Sequence, residues 1–155
     1  MYKIMFVCHG NICRSPMAEF VMKKLVFERG LSGKISVFSS ATSTEEIGND
    51  IHYGTRRTLD KYGVKHTKRE AVQLERRDYE KYDLFVGMDS ANIRNMHRIF
   101  GADRENKVVK LLDFTSRGGD VADPWYTGNF EATWQDVNDG CKALLERLEA
   151  GRVAF

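Results

Sequence analysis

A cysteine and an arginine six positions later bracket a short polar loop near the start of the chain. Cys8 is followed by His-Gly-Asn-Ile-Cys and then by Arg14. The apolar, β-branched and aromatic run from Tyr2 to Val7 predicts a buried strand before the loop. Ser15 as N-cap and Pro16 as the first helical residue predict a helix directly after it. The thiol is therefore expected at the end of a strand, in a loop that closes on a helix N-terminus.

A loop of this kind has the features of an anion-binding site. Unpaired N–H groups and the positive end of the helix dipole point to one place, and Gly10 and Asn11 are residue types that adopt a positive φ. Arg14 offers a planar fork that suits two phosphate oxygens. The same donors stabilise a thiolate, so we expect Cys8 to be nucleophilic at neutral pH and to carry out covalent phosphoryl transfer. The alternative for Cys8 is a small buried residue at a strand end.

The long loop 115–129 carries a candidate proton donor, Asp123, which precedes a proline. A carboxylic acid that reaches the anion site can protonate a leaving oxygen and then activate water. Asp-Pro is also a common way to open a turn, so the local sequence leaves both interpretations open. Asp113 and Asp120 compete with Asp123 for the role by their proximity in the sequence.

Two motifs resemble those of the low-molecular-weight protein tyrosine phosphatases: Cys8-His-Gly-Asn-Ile-Cys-Arg-Ser-Pro-Met-Ala-Glu19 and Asp123-Pro-Trp-Tyr126. The resemblance spans nearly the whole chain. It implies an enzyme without metal or other cofactor that acts on phosphotyrosine-containing proteins through a cysteinyl-phosphate. In that mechanism Cys8 attacks, Arg14 binds the phosphate, and Asp123 donates and then accepts a proton. The family's Asp-Pro-aromatic-Tyr pattern selects Asp123. The implied phosphate-binding loop also contains His9, Gly10, Asn11, Ile12, Cys13 and Ser15.

The resemblance also implies a substrate pocket lined by Trp125 and Tyr126, whose alternative role is packing of the loop. A deep slot between aromatic rings admits phosphotyrosine and leaves the shorter phosphoserine unable to reach Cys8. A further aromatic residue often completes this slot in the family. Glu45 stands at the matching position, which predicts a pocket that is more open or more acidic on one side.

Within the loop, the resemblance implies that the Ser15 hydroxyl donates to the Cys8 sulfur. It also makes Cys13 a redox partner that captures oxidised Cys8 as a reversible disulfide, with simple packing as the alternative.

The family stabilises this loop through an asparagine, here Asn11, that bonds a serine matching Ser39 and usually a histidine. No histidine falls at the corresponding place, where Lys68 and Arg69 are the nearest residues.

Composition favours one domain over residues 1–155. The chain has 155 residues and a net charge of +2, with charges of both signs interspersed, which gives no nucleic-acid signature. No apolar run reaches the roughly 20 residues that a membrane span needs, so we expect no membrane association. Three cysteines, an odd number, favour a reducing compartment, and the cytoplasm is the expected location. His52, His66 and His97 lack ligand spacing, so no metal is expected.

Strand patterns alternate with helix patterns along the chain. Further strands are predicted at 34–39, 84–88 and 108–112, and helices at about 50–62, after Asp89 or Ser90, and from Phe130 to Leu148. This alternation predicts an α/β fold, a doubly wound parallel sheet with helices on both faces. The resemblance implies four strands in the order 2-1-3-4.

Three rival functions follow from the same motifs. A protein-arginine phosphatase typically has threonine where this chain has Ile12, and an arsenate reductase of this fold needs further cysteines, of which residues 70–110 have none. A phosphotyrosine-binding or redox-sensing module would have lost catalysis, whereas Cys8, Arg14 and Asp123 are intact. We therefore expect a phosphatase that binds phosphate or other tetrahedral oxyanions, with a tyrosine kinase among its candidate partners.

Overall fold

Four parallel strands form the centre of the molecule. The structure, a computed structural model, describes residues 1–151; residues 152–155, the end of the predicted domain 1–155, lie outside the described residues. The strands are β1 (Tyr2–Cys8), β2 (Ile35–Ala41), β3 (Leu84–Gly87) and β4 (Val108–Lys110), in the order β2-β1-β3-β4. The helices are α1 (Arg14–Glu28), α2 (Tyr53–Lys61), α3 (Ser90–Phe100), α4 (Pro124–Thr127) and α5 (Phe130–Glu149).

The sheet is covered on both faces, and alternate residues of β1 point to opposite cores. Ile4 and Phe6 belong to the core that α1 and α5 cover, whereas Met5 and Val7 belong to the core that α3 covers. Because both faces of β1 are buried, its sequence is almost continuously apolar rather than alternating. The predicted doubly wound sheet in the order 2-1-3-4, with helices on both faces, is confirmed.

The strand order places the loop after β1 at a switch point of the sheet. β1 pairs with β2 on one side and with β3 on the other, and Cys8, its last residue, lies opposite Ala41. In open parallel sheets, ligands bind outside the carboxyl ends of the strands where the strand order reverses. Cys8, which ends β1, therefore lies at the same edge of the sheet as Asp89, which follows β3.

Three local predictions need correction. Ser15 is not an N-cap: α1 begins at Arg14, Cys13 occupies the cap position without a side-chain cap bond, and the Ser15 hydroxyl bonds elsewhere. β4 ends at Lys110, because the next residues form a short 3-10 helix over Leu111–Phe114. The loop 115–129 contains the short helix α4, whose first residue is the proline that follows Asp123.

The last helix, α5, packs one apolar face into the core. Its buried residues include Trp134, Val137 and Cys141, as the helical spacing predicted. Gly140 lies against the 3-10 helix that follows β4, in contact with Leu111. No helix among residues 1–151 is both long enough and apolar enough to cross a membrane.

Replacing Gly140 by alanine is expected to destabilise the protein, because the added Cβ would lie 2.4 Å from Leu111 Cγ. Overpacking of this kind costs about 1–3 kcal/mol in the free energy of unfolding. Urea denaturation measures the effect as a lower midpoint. Gly33→Ala is the control, because no heavy atom of residues 1–151, apart from its chain neighbours, lies within 4 Å of its added Cβ. An unchanged midpoint for Gly140→Ala would contradict this close packing.

Candidate active site

The loop between β1 and α1 wraps around the Cys8 sulfur. The backbone N–H of Asn11 points to Cys8 Sγ, at an N-to-S distance of 3.3 Å, and the Ser15 hydroxyl lies 3.0 Å from the same sulfur. Both are groups that stabilise a thiolate. The Ser15 hydroxyl is thus used for the sulfur, which explains why it does not cap the helix.

Asn11 holds the loop in shape. It adopts a left-handed backbone conformation, with φ of 59°, and its side chain is fully buried. The amide nitrogen donates to Ser15 Oγ (2.8 Å) and to Ser39 Oγ (2.9 Å), and the amide oxygen accepts from the Val72 N–H (3.2 Å). These bonds compensate for the backbone strain that a left-handed residue with a side chain carries. The contact predicted between Asn11 and Ser39 is present.

Arg69, one of the two residues nearest the place where the family usually has a histidine, contacts the loop at Asn11. Its guanidinium donates to the Asn11 carbonyl oxygen at 2.6 Å and to the Asn49 carbonyl oxygen at 3.3 Å. On the other side of the network, Ser39 donates to Glu19 at 2.6 Å. Burial lowers the pKa of Arg69, while Glu19, Asp50 and Cys8 act in the opposite direction. The guanidinium of Arg69 and the carboxylate of Glu19 therefore stabilise the hydrogen-bond network of the loop, where the family usually uses an imidazole.

Arg14 is the charged centre of the site and is only 3% exposed. It donates to Asp89 Oδ2 (2.7 Å) and the Val121 carbonyl oxygen (3.1 Å), and through its other terminal nitrogen to Asp123 Oδ2 (3.3 Å). Burial alone lowers its pKa, but the Cys8 sulfur and the two carboxylates outweigh burial, so the pKa of Arg14 is raised. Arg14 therefore keeps its positive charge although it is buried.

Asp123 lies at the start of α4 with both carboxylate oxygens engaged. One oxygen accepts from the Trp125 N–H at 3.1 Å as a helix cap, and the other accepts from Arg14. Asp120 instead accepts from Lys110 and from Ser90. Of the three acidic residues considered from the sequence, Asp123 alone lines the pocket that contains Cys8.

A pocket of about 100 Å³ leads down to Cys8. Trp125 and Tyr126 line it and remain 59% and 84% exposed, so their rings stand at the entrance rather than in the core. Glu45 is paired with His9 at 3.0 Å, and Glu46 adds a second carboxylate to the lining. The residues predicted from the sequence that line the pocket are Cys8, His9, Gly10, Ile12, Cys13, Arg14, Glu45, Asp123, Trp125 and Tyr126. Asn11 and Ser15 are fully buried.

Cys13 is a buried thiol in the same loop. Burial, together with the charges of Cys8 and Asp123, raises the pKa of Cys13 to about 12, against smaller opposing effects of Arg14 and Thr55. Cys13 is therefore protonated at neutral pH. Among residues 1–151, no cluster of three or more His, Cys, Asp or Glu side chains is arranged to hold a metal ion.

The sequence matches the model of the low molecular weight phosphotyrosine protein phosphatase family over residues 3–154. The chain belongs to this family. Among its relatives is the low molecular weight protein-tyrosine-phosphatase YfkJ of Bacillus subtilis, 37% identical over 151 residues that cover 96% of this chain and 97% of that protein. The crystal structure of YfkJ superimposes with a TM-score of 0.95 at 36% identity, covering 99% of this chain and 98% of that one.

A mammalian relative, the low molecular weight phosphotyrosine protein phosphatase of Rattus norvegicus, is 36% identical over 149 residues that cover 93% of this chain and 94% of that protein. A Drosophila arginine phosphatase has a TM-score of 0.86 at 23% identity, covering 95% of this chain and 98% of that one. At that identity the likeness concerns the fold alone.

Sequence reasoning missed several residues that contact the site, among them Glu46 of the pocket lining, Asp89 and His52. Asp89 was considered only as a helix cap, and it does cap α3, but its second oxygen binds Arg14. Its position directly after the neighbouring strand was the available signal. His52 stacks on Phe130 with ring centroids 5.2 Å apart, meets Trp125 edge-on at 5.9 Å, and donates its backbone N–H to the Ile12 carbonyl oxygen. No local pattern marks this contact in the sequence.

Asp89→Asn is expected to weaken catalysis by misorienting Arg14. Asparagine presents one oxygen and one NH₂ group, so it cannot accept from both Arg14 and the Asn92 N–H as Asp89 does. A hydrogen bond to a charged group contributes about 1.5–3 kcal/mol, which corresponds to a loss of about 10- to 100-fold in kcat/KM for an aryl phosphate. Steady-state kinetics measure this loss.

Asp120→Asn is the matched control, because Asp120 is an exposed carboxylate that binds Ser90 and Lys110 outside the pocket. If Asp89→Asn retained the kcat/KM of Asp120→Asn, Asp89 would have no part in orienting Arg14.

Proposed function

We propose that this protein hydrolyses phosphotyrosine in proteins through a cysteinyl-phosphate intermediate. The observation that carries the proposal is that a backbone N–H and a buried hydroxyl converge on one sulfur, in a pocket that also holds an arginine that retains its charge. Family membership supports the same activity. The residue roles proposed below follow from the contacts in this chain.

In the first step, the Cys8 thiolate attacks the phosphorus atom. The S–P bond forms as the bond from phosphorus to the phenolic oxygen breaks. The Arg14 guanidinium and the loop N–H groups hold the equatorial oxygens, where the negative charge of the transition state is spread. Asp123, which lines the same pocket, gives its proton to the departing phenolate.

In the second step, water attacks the phosphorus atom and the S–P bond breaks. Asp123, now a carboxylate, accepts a proton from the water, and Cys8 leaves as a thiolate. The Ser15 hydroxyl, 3.0 Å from the sulfur, supports that leaving group. Inorganic phosphate is released, and it and other tetrahedral oxyanions are expected to bind the same loop as inhibitors.

Phosphotyrosine fits the pocket better than the rival substrates. Cys8 is only 3% exposed and lies below Trp125 and Tyr126, so a substrate needs a long, flat side chain to reach it. Ile12 lines the pocket with an apolar surface, which favours a phenyl ring over a guanidinium group. Residues 70–110 contain no cysteine that could relay a disulfide, as an arsenate reductase of this fold requires.

The proposed substrates are phosphoproteins, and a tyrosine kinase is a candidate partner because kinases of that class carry phosphotyrosine themselves. The cytoplasm is the proposed location. All three cysteines are free thiols in the structure, and a nucleophilic Cys8 needs a reducing compartment to stay reduced.

Cys13 is proposed as the redox partner of Cys8. Peroxide converts the Cys8 thiolate to a sulfenic acid, which condenses with the Cys13 thiol to a disulfide and water. The raised pKa of Cys13, about 12, supports different roles for the two thiols in this oxidation. Cys8 is oxidised first, while Cys13 stays a protonated thiol until an oxidised neighbour is present.

Cys8→Ser is expected to abolish turnover of a phosphotyrosine peptide, and Asp123→Ala to reduce it by about 10²- to 10⁴-fold, the usual contribution of a general acid. Phosphate release is measured with chelator present, on peptides that carry phosphotyrosine, phosphoserine or phosphoarginine. Activity confined to phosphoarginine would keep the mechanism and overturn the substrate. No activity with any peptide under reducing conditions would favour a binding or sensing module.

Glu45→Gln is expected to change the preference for charged peptide residues. Glu45 and Glu46 both line the pocket, so they place two carboxylates near a bound peptide. Native protein should favour phosphotyrosine flanked by lysine over the same peptide flanked by glutamate. The variant should lose up to about fivefold of that preference, since exposed charge pairs contribute about 1 kcal/mol or less. The ratio of kcat/KM for the two peptides measures the effect.

The preference should also shrink as salt is added, because exposed charges are screened. Glu105→Gln, an exposed carboxylate outside the pocket, serves as the control. A ratio unaffected by Glu45→Gln would exclude Glu45 from peptide selection.

A further inference from the structure

Ala122, the residue before the proposed general acid Asp123, forms hydrogen bonds to α5 through both its N–H and its carbonyl oxygen. The Thr133 hydroxyl donates to the Ala122 carbonyl oxygen at 2.8 Å, and the Ala122 N–H donates to Asp136 Oδ2 at 3.4 Å. Thr133 and Asp136 lie one turn apart on the helix. The N–H and the C=O of Ala122, the neighbour of Asp123, are therefore both hydrogen-bonded to side chains of α5. No catalytic group proposed above lies on this helix.

The bond from Thr133 is unusual for a threonine in a helix. Such a hydroxyl commonly bonds the carbonyl four residues earlier in its own helix. Here that carbonyl, of Asn129, is 3.4 Å away, whereas the Ala122 carbonyl is 2.8 Å away. Thr133 is fully buried, so its bond to the Ala122 carbonyl oxygen is shielded from solvent.

Asp136 is itself held in place by a neighbour. Its Oδ1 accepts from Arg117 at 2.7 Å, which leaves Oδ2 facing the Ala122 N–H. Arg117 also binds Asp139 one turn further along α5, at 3.0 Å. Asp139 therefore shares the arginine but has no contact with Ala122 among the hydrogen bonds of the described residues.

The geometry points to Thr133 and Asp136 as positioning residues for the general acid Asp123. This inference rests on the proposed function, because it assumes that Asp123 transfers the proton. The dihedral angles around Ala122 and Asp123 set where the carboxyl group lies above the pocket. A displacement of 1 Å at a reacting group costs up to about 100-fold in rate, so the anchor of this short segment has kinetic consequences.

A positioning role differs from a structural one in its dependence on the leaving group. A phenolate of high basicity needs the proton of Asp123, whereas a dinitrophenolate leaves without one. Loss of the anchor should therefore reduce kcat/KM for phenyl phosphate and spare 2,4-dinitrophenyl phosphate. General damage to the fold or to the phosphate loop would reduce both.

The first test compares Thr133→Val with Thr133→Ser and with Thr58→Val, using both aryl phosphates. Thr133→Val keeps the shape and removes the hydroxyl. We expect a loss of about tenfold with phenyl phosphate and less than about twofold with 2,4-dinitrophenyl phosphate, and Thr133→Ser should restore activity. Thr58 is the matched control: it is also buried in a helix, but within residues 1–151 its hydroxyl bonds only Gly54 of its own helix.

The second test covers the case in which Thr133→Val fails to fold. Asp136→Ala removes the other anchor at a half-buried position, and Asp139→Ala removes the second partner of Arg117 without touching Ala122. Asp136→Ala should show the same selective loss with phenyl phosphate. Asp139→Ala should show none.

Asp123→Ala, measured in parallel, separates this inference from the proposed function. If Asp123→Ala lacks the leaving-group dependence, both are overturned. If Asp123→Ala shows the leaving-group dependence, but Thr133→Val and Asp136→Ala lower kcat/KM equally for both substrates or leave it unchanged for both, the positioning role alone is overturned.

Discussion

The positive charge of Arg14, buried beside the Cys8 sulfur, is the constraint on which the site depends. A buried guanidinium is costly unless charged partners and hydrogen bonds compensate for the lost water. This chain supplies Asp89 from the end of β3, and Asp123 and the Val121 carbonyl from the loop before α4. The same arginine thus joins three segments that are far apart in the sequence, so the anion site exists only where the fold brings these segments together.

The parallel sheet makes this convergence possible. Because strands β1 and β3 are adjacent and parallel, the residues that follow them emerge at one edge, where Cys8 and Asp89 meet. The loop from β1 then turns directly into α1, whose first residue is Arg14. A helix N-terminus and a fixed arginine therefore lie at one short loop, which is the arrangement that favours a bound anion.

Much of this arrangement could be predicted from local sequence. The apolar strands, the amphipathic helices and the cysteine loop follow from residue types and spacing, and the resemblance added the strand order and Asp123. Ser15 was misassigned because its cap propensity is real, but the Cys8 sulfur and Asn11 compete for its hydroxyl. Arg69 was named from the sequence only as a residue near the place of the family's histidine. Its bond to the loop, like that of His52, could not be derived because these contacts join residues about 40 to 60 positions apart.

The two carboxylates around Arg14 have a consequence for the order of events in the pocket. In the structure Asp123 is bound to the same guanidinium that the proposed mechanism assigns to the incoming phosphate dianion. The dianion therefore competes with Asp123 for the cation and takes over one of its hydrogen bonds. Substrate entry therefore frees the Asp123 carboxylate from the guanidinium, so binding of the phosphate group and release of this side chain are two halves of one exchange.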